Sequence, residues 1–222
     1  MESPRRYAVY YVPAGEDPLW AAGCAWLGRN PETGRVPRPA PGIAAHTTAP
    51  ARYGFHATLR PPFALAPGQN FTQFRAACAA ILAAHRPFSL PPLTVGQLDG
   101  FLALLPTRPC PQLNALADAL VLGLDGFRPP LSAQARARRR PEALPSAEVE
   151  NLDRFGYPAV LAAWRFHLTL SNRMPPATLR RLAEAHFAAS LAPPRQLGAI
   201  ALFTEPAPDA EFQLMERLSL AG

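Results

Sequence analysis

The tightest constraint on this chain is a phrase that it contains twice. Phe55-His56-Ala57-Thr58-Leu59 returns as Phe166-His167-Leu168-Thr169-Leu170, and each copy is followed by Pro-Pro and a helix-like stretch. The copies are separated by about half of the 222-residue chain. That spacing reads as an internal duplication, which predicts two lobes about a pseudo-twofold axis with a cleft that collects both histidines.

Each copy reads as a strand, and strand side chains alternate between faces. His56 and Thr58 then point into the cleft while Phe55, Ala57 and Leu59 point into the core; His167 and Thr169 repeat this against Phe166, Leu168 and Leu170. Continued extension adds Arg60 to the first row, and Ser171 and Arg173 to the second. A row of imidazole, hydroxyl and guanidinium suits a phosphodiester. One neutral imidazole accepts a proton from water or a hydroxyl, and a protonated one across the cleft gives a proton to the leaving oxygen. Thr58, Thr169, Arg60 and Arg173 are candidate phosphate ligands, and Tyr53 a candidate cleft-lining aromatic. This chemistry requires no metal or cofactor.

The remaining segments predict alternating strands and helices. Arg6 to Pro13 reads as a strand and Asp17 to Gly28 as a helix capped by Asp17-Pro18. Residues 29 to 52 read as a long loop, and Tyr53 to Pro61 as a strand stopped by Pro61-Pro62. Helices are expected over Phe71 to His85 and from about Cys110 to Leu124, and a strand pair over Phe88 to Val95 and Gly100 to Leu105. The Pro/Arg-rich residues 126 to 148 read as an exposed connection between halves spanning about 1 to 125 and 149 to 222, within one domain. A helix near Glu148 to Phe155, a strand over Trp164 to Ser171, a helix ending near Ser190 and two closing strands complete the second half.

Composition narrows the class without deciding the function. At 49% hydrophobic content the chain can bury a core unaided, and its 28 prolines fall between periodic segments. The net charge of +6 comes from arginine alone, since the chain has no lysine; it admits a polyanionic partner such as RNA. Cys24, Cys78 and Cys110 suggest buried thiols rather than a zinc knuckle or a disulfide framework. No apolar stretch approaches a membrane span, and the N-terminal segment lacks a leader's apolar region, so a cytoplasmic location is expected.

The duplicated His-x-Thr resembles the signature of the two-histidine phosphoesterase superfamily, which includes RNA ligase-like cyclic phosphodiesterases. Arg6-Tyr7-Ala8-Val9-Tyr10-Tyr11 and Tyr53 through Phe63 further resemble a bacterial branch associated with phosphonate metabolism. The resemblance implies a bilobal α+β fold, with two antiparallel-dominated sheets facing a central cleft and helices outside. It also implies metal-independent chemistry on a small cyclic phosphodiester or nucleotide-like substrate, with His56 and His167 as catalytic residues and Thr58 and Thr169 on the phosphate. The alternative is an RNA- or nucleotide-binding module that uses the same cleft without turnover.

Overall fold

The computed structural model describes residues 5 to 221; Met1 to Pro4, where the absence of a leader was read, and Gly222 lie outside them. The first strand, β1 (Arg6–Tyr11), leads to α1 (Pro18–Leu27), whose first turn is capped by the Asp17 carboxylate on the Leu19 amide. The expected long loop instead carries a small hairpin, β2 (Arg29–Asn30) with β3 (Gly34–Arg35), and two short helices, α2 (Ile43–His46) and α3 (Thr48–Tyr53). Buried groups anchor it. Ile43 enters the core, and the buried Arg29 guanidinium donates to the carbonyls of Ala51, Arg52 and Phe212.

Next come β4 (Ala57–Ala64) and α4 (Phe71–Leu82), the latter opened by reciprocal bonds between Asn70 and Gln73. Strands β5 (Phe88–Leu90), β6 (Leu93–Leu98) and β7 (Phe101–Pro106) precede α5 (Pro111–Gly123). Asp99 and Gly100, both at positive φ, form the two-residue turn from β6 to β7. The Pro/Arg-rich connection is less irregular than expected: 3-10 turns at Asp125–Phe127 and Pro141–Ala143 flank α6 (Ala133–Ala137). The chain closes with α7 (Ser146–Phe155), β8 (Leu168–Thr169), α8 (Ala177–Leu191), β9 (Arg195–Leu197), β10 (Ala199–Glu205) and β11 (Gln213–Ser219).

The architecture is α+β, built on two antiparallel sheets. The larger has the order β11-β10-β1-β4 and the smaller β6-β7-β8, while β5 pairs with β9. Helices α4 and α5 lie against the larger sheet; α1 and α8 pack on each other, with α8 also against β6. Each sheet draws strands from both halves of the sequence, so the duplication produces interleaved halves. One apolar cluster, running from Tyr7 to Leu220, underlies both sheets and includes Cys24, Cys78 and Cys110 as buried free thiols. Among the described residues no helix is long and apolar enough to cross a membrane.

The Ala57-Thr58 and Leu168-Thr169 parts of the two triplets open β4 and β8, with His56 and His167 one residue ahead of each strand rather than on it. The strand expected from Tyr53 starts only at Ala57, because Tyr53 closes α3, and both strands are sheet edges. Pro61-Pro62, which were expected to end the strand, lie inside it: an outward N–H of an edge strand has no ladder bond to lose, and the register shift between Tyr7 and Val9 places the pair at a bulge. Strand β8 is shorter than the expected Trp164 to Ser171, because only Leu168 and Thr169 pair with β7.

Phe55 anchors the first triplet from below. Fully buried, it stacks on Phe187 at 6.1 Å between ring centroids and presses on Gly23 of α1, where an added Cβ would stand 2.1 Å from its ring. Gly23→Ala should therefore push Phe55 off its seat and destabilise the fold by about 1–3 kcal/mol, the usual cost of overpacking. The readout is the urea midpoint at unchanged slope; a wild-type midpoint would contradict the tight packing.

Candidate active site

The backbone before His56 turns sharply as α3 ends. Gly54 holds φ +83°, where an L side chain is strained, and its amide bonds back to the carbonyls of Pro50 and Ala51. Its carbonyl faces forward and accepts from His56 Nδ1 at 2.9 Å. Since a carbonyl only accepts, Nδ1 carries the proton, and in the neutral ring Nε2 is left as the lone-pair nitrogen. Nε2 lies 3.2 Å from Thr58 Oγ1, as expected for positions i and i+2 of an extended chain. The ring stacks on buried Tyr10 with centroids 3.8 Å apart.

The second triplet repeats the device. His167 Nδ1 lies 2.8 Å from the carbonyl of Arg165, again two residues back, which leaves Nε2 for chemistry. The His167 ring packs against Phe101 at 5.5 Å. Just beyond, the Ser171 hydroxyl accepts from the Leu102 amide at 2.9 Å, and the buried Trp26 indole donates to the Leu170 carbonyl at 2.7 Å. These bonds hold the strand end rigid.

Two ties bring the triplets together. Trp164 Nε1 donates to the Thr58 carbonyl at 2.8 Å, which satisfies an acceptor on the open edge of β4. Asn172 donates to the Ala45 carbonyl and the Thr48 hydroxyl, and it accepts from the Ala49 amide. The segment after His167 is thereby stitched to the helices before His56. Burial lowers the His56 pKa to about 4, against the bond that its Nδ1 donates to the Gly54 carbonyl, and the charge of His167 lowers it further. Burial also lowers the pKa of His167, while the bond to Arg165 and the Asp99 carboxylate oppose the shift.

The other expected positions are distributed unevenly. Thr58 and Thr169 are partly exposed beside their histidines, and the Tyr53 ring lies 6.0 Å from that of His56 while stacking on Phe212. Arg60 departs from its expected row. Tyr10 pairs with Thr58 but Val9 pairs with Arg60, so a bulge at Leu59 breaks the alternation and carries Arg60 to the Val9 side of the sheet. There it contacts the Phe155 carbonyl and Asp125. Ser171 is buried, and Arg173 lies beyond the strand on the Asp99 carbonyl, so neither extends the second row. Gly54, Asp99, Trp164 and Asn172 were not singled out by sequence for this site, and Tyr10, one of several tyrosines able to line the cleft, reads there as a core aromatic. Only the Asp99-Gly100 turn had a local signal. Among the described residues no group of three or more His, Cys, Asp and Glu is gathered to hold a metal ion.

Residues 58–213 match the family described as "Protein of unknown function (DUF1045)". Two curated relatives carry the name Ribose 1,5-bisphosphate phosphokinase PhnN. That of Janthinobacterium sp. (strain Marseille) is 35% identical over 238 residues, covering 100% of this chain and 52% of the relative. That of Laribacter hongkongensis (strain HLHK9) is 39% identical over 217 residues, covering 94% and 50% respectively. The chain spans about half the length of these curated relatives. Among solved structures, E. coli LigT complexed with NADP+ and with 3'-AMP each show 14% identity and a TM-score of 0.47, over 99% of this chain and 99% and 100% of theirs.

The shift at His56 has a consequence for stability. An unfolded histidine titrates near its ordinary 6.5, whereas folded His56 does so at about 4. As pH falls below about 6.5 the unfolded chain takes up a proton that the folded chain refuses, so stability drops across that window and levels off below about 4. Between about pH 7.5 and about pH 4.5, the wild type should lose on the order of 2 kcal/mol more unfolding free energy than His56→Gln. Urea titrations at each pH provide the check, and parallel losses in the two proteins would disprove it.

Proposed function

The chain belongs to the DUF1045 family, whose description assigns no activity, and from its site we propose that it is a phosphoesterase opening a small cyclic phosphodiester without a metal. The observation that carries this reading is the repeated arrangement of the two histidines. Each Nδ1 is held by the carbonyl two residues back, each Nε2 is left for chemistry, and Trp164 and Asn172 tie together the segments that carry the two rings.

In this reading His56 is the base. Its lowered pKa keeps Nε2 unprotonated near neutral pH, so it takes a proton as water attacks phosphorus. His167, where burial lowers the pKa but the bond to the Arg165 carbonyl and the Asp99 carboxylate oppose that shift, is the acid that gives a proton to the departing ring oxygen. One P–O bond forms, one breaks, and the enzyme is left with its two imidazole protons exchanged. Thr58 and Thr169 donate hydroxyl hydrogen bonds to non-bridging oxygens. Arg60 and Arg173 are left out of this step because their guanidinium groups are engaged elsewhere.

The kinase named in the curated relatives is not proposed for this chain. It covers about half of them and contains no lysine, which a phosphate-cradling loop ending in Lys-Ser/Thr requires. Their name does favour a phosphorylated ribose as the substrate class. It accords with the place in phosphonate metabolism that the sequence resemblance implies. A nucleotide- or RNA-binding module is the second reading, favoured by the +6 charge.

Kinetics separate these readings. In chelator-treated protein, His56→Ala and His167→Ala should each reduce hydrolysis of a cyclic phosphate at least about 1,000-fold, at the upper part of what one general acid or base contributes. An ester with a better leaving group should rescue His167→Ala but not His56→Ala, because only the acid assists departure. Undiminished turnover in either alanine variant would refute the enzyme reading. Asp99→Asn should move the alkaline limb of the rate profile to lower pH, since removing a carboxylate makes His167 lose its proton more readily; an unmoved limb would remove Asp99 from the acid's support.

A further inference from the structure

A cavity of about 530 Å³ lies along the outer part of β4, walled by Pro61 to Ala64 and by the connection that begins at Arg128. Among the described residues five arginines line it, Arg6, Arg60, Arg128, Arg138 and Arg139, and no carboxylate does. Two of the five are occupied. Arg6 pairs with Glu205, and Arg128 is spent on Asp125 and on the carbonyls of Pro129 and Arg154.

Arg60 is different. It is 1% exposed and donates through Nη1 to the Phe155 carbonyl, but its Nε and Nη2 have no hydrogen-bond partner. The Asp125 oxygen nearest to Nη2 is 3.7 Å away and is already bonded to Arg128 at 2.8 Å. A buried cation with two unused N–H donors is costly by itself, and burial lowers its pKa to about 10. Both nitrogens are covered, so an anion in the cavity would supply the two acceptors by displacing the side chains that now lie over them. At the rim, Arg138 and Arg139 are exposed, and Arg139 lies over the Tyr157 ring at 4.7 Å, which leaves its N–H edge open. Arginine forks match the paired oxygens of phosphate, and several cations without a carboxylate favour a dianion over a diester's single charge.

We infer that this cavity is a binding site for a phosphate monoester group, separate from the phosphodiester on which the histidines act. It gives the Arg-rich connection, which by sequence alone reads as a solvated charge run, the role of a rim. The monoester could be the distal group of the substrate in the histidine cleft or an independent small anion; both present the same chemistry to Arg60.

The test titrates inorganic phosphate into the His56→Ala/His167→Ala protein by calorimetry. One equivalent should still bind, and its affinity should fall at least about tenfold on adding Arg60→Met, and likewise on adding Arg138→Gln/Arg139→Gln, surface changes that spare the core. Absence of binding in the histidine variant, or affinity unchanged by the arginine substitutions, would overturn the site. The source is then read from Arg138→Gln/Arg139→Gln on otherwise wild-type enzyme. A loss in kcat/KM confined to 5'-phosphorylated 2',3'-cyclic AMP, sparing 2',3'-cyclic AMP itself, assigns the monoester to the substrate; equal rates on both assign it to a separate anion. This last arm rests on the proposed hydrolysis, whereas the titration does not, so either can fail alone.

Discussion

The indole N–H of Trp164 reaches from the second half of the chain to the carbonyl of Thr58 at 2.8 Å, and the site is arranged around that crossing. A net contribution of about 0.5–1.5 kcal/mol is ordinary for such a bond. Its position matters more than its strength. An edge strand exposes carbonyls that invite foreign pairing, and here one of them is answered by a residue three positions before His167. The two edges can therefore lie side by side without merging into a continuous sheet. Asn172, bonded to the α2 and α3 backbone, holds the same alignment from the other end.

Within that frame, a main-chain carbonyl fixes Nδ1 of each imidazole. A carboxylate partner would orient a ring equally well but would also raise its pKa and favour the charged state. A carbonyl orients the ring with less electrostatic bias, so burial dominates and both rings shift toward neutrality. The asymmetry between them then rests on surroundings. His56 is sealed over Tyr10, whereas His167 lies near the turn that carries Asp99. A repeated motif thus meets two different environments through neighbours that are not repeated.

Much of this was readable from the chain. Strand alternation paired His56 with Thr58, Asp17-Pro18 marked the start of α1, and apolar spacing located the long helices to within a few residues. What escaped was structure decided by tertiary context. Nothing local announces that Pro61-Pro62 lie on a strand with one open side, or that Leu59 is the extra residue of a bulge that redirects Arg60. Tyr10 is a buried strand aromatic, as its composition suggests, yet it is also the floor beneath His56. The same holds for the interleaving of halves: a repeat in sequence says that two units are alike, not that they exchange strands.

That exchange governs how the molecule comes into being. Strand β1 sits between β4 and β10, so its pairing with Thr204 and Glu205 spans nearly the whole described chain. Contacts so distant in sequence form late, because the loop they close must first be confined. On the ribosome, the amino-terminal half would wait with one side of its central strand unpaired until β10 emerges. That waiting period leaves a bare strand flank open to association with other chains, a vulnerability of assembly that the finished fold conceals.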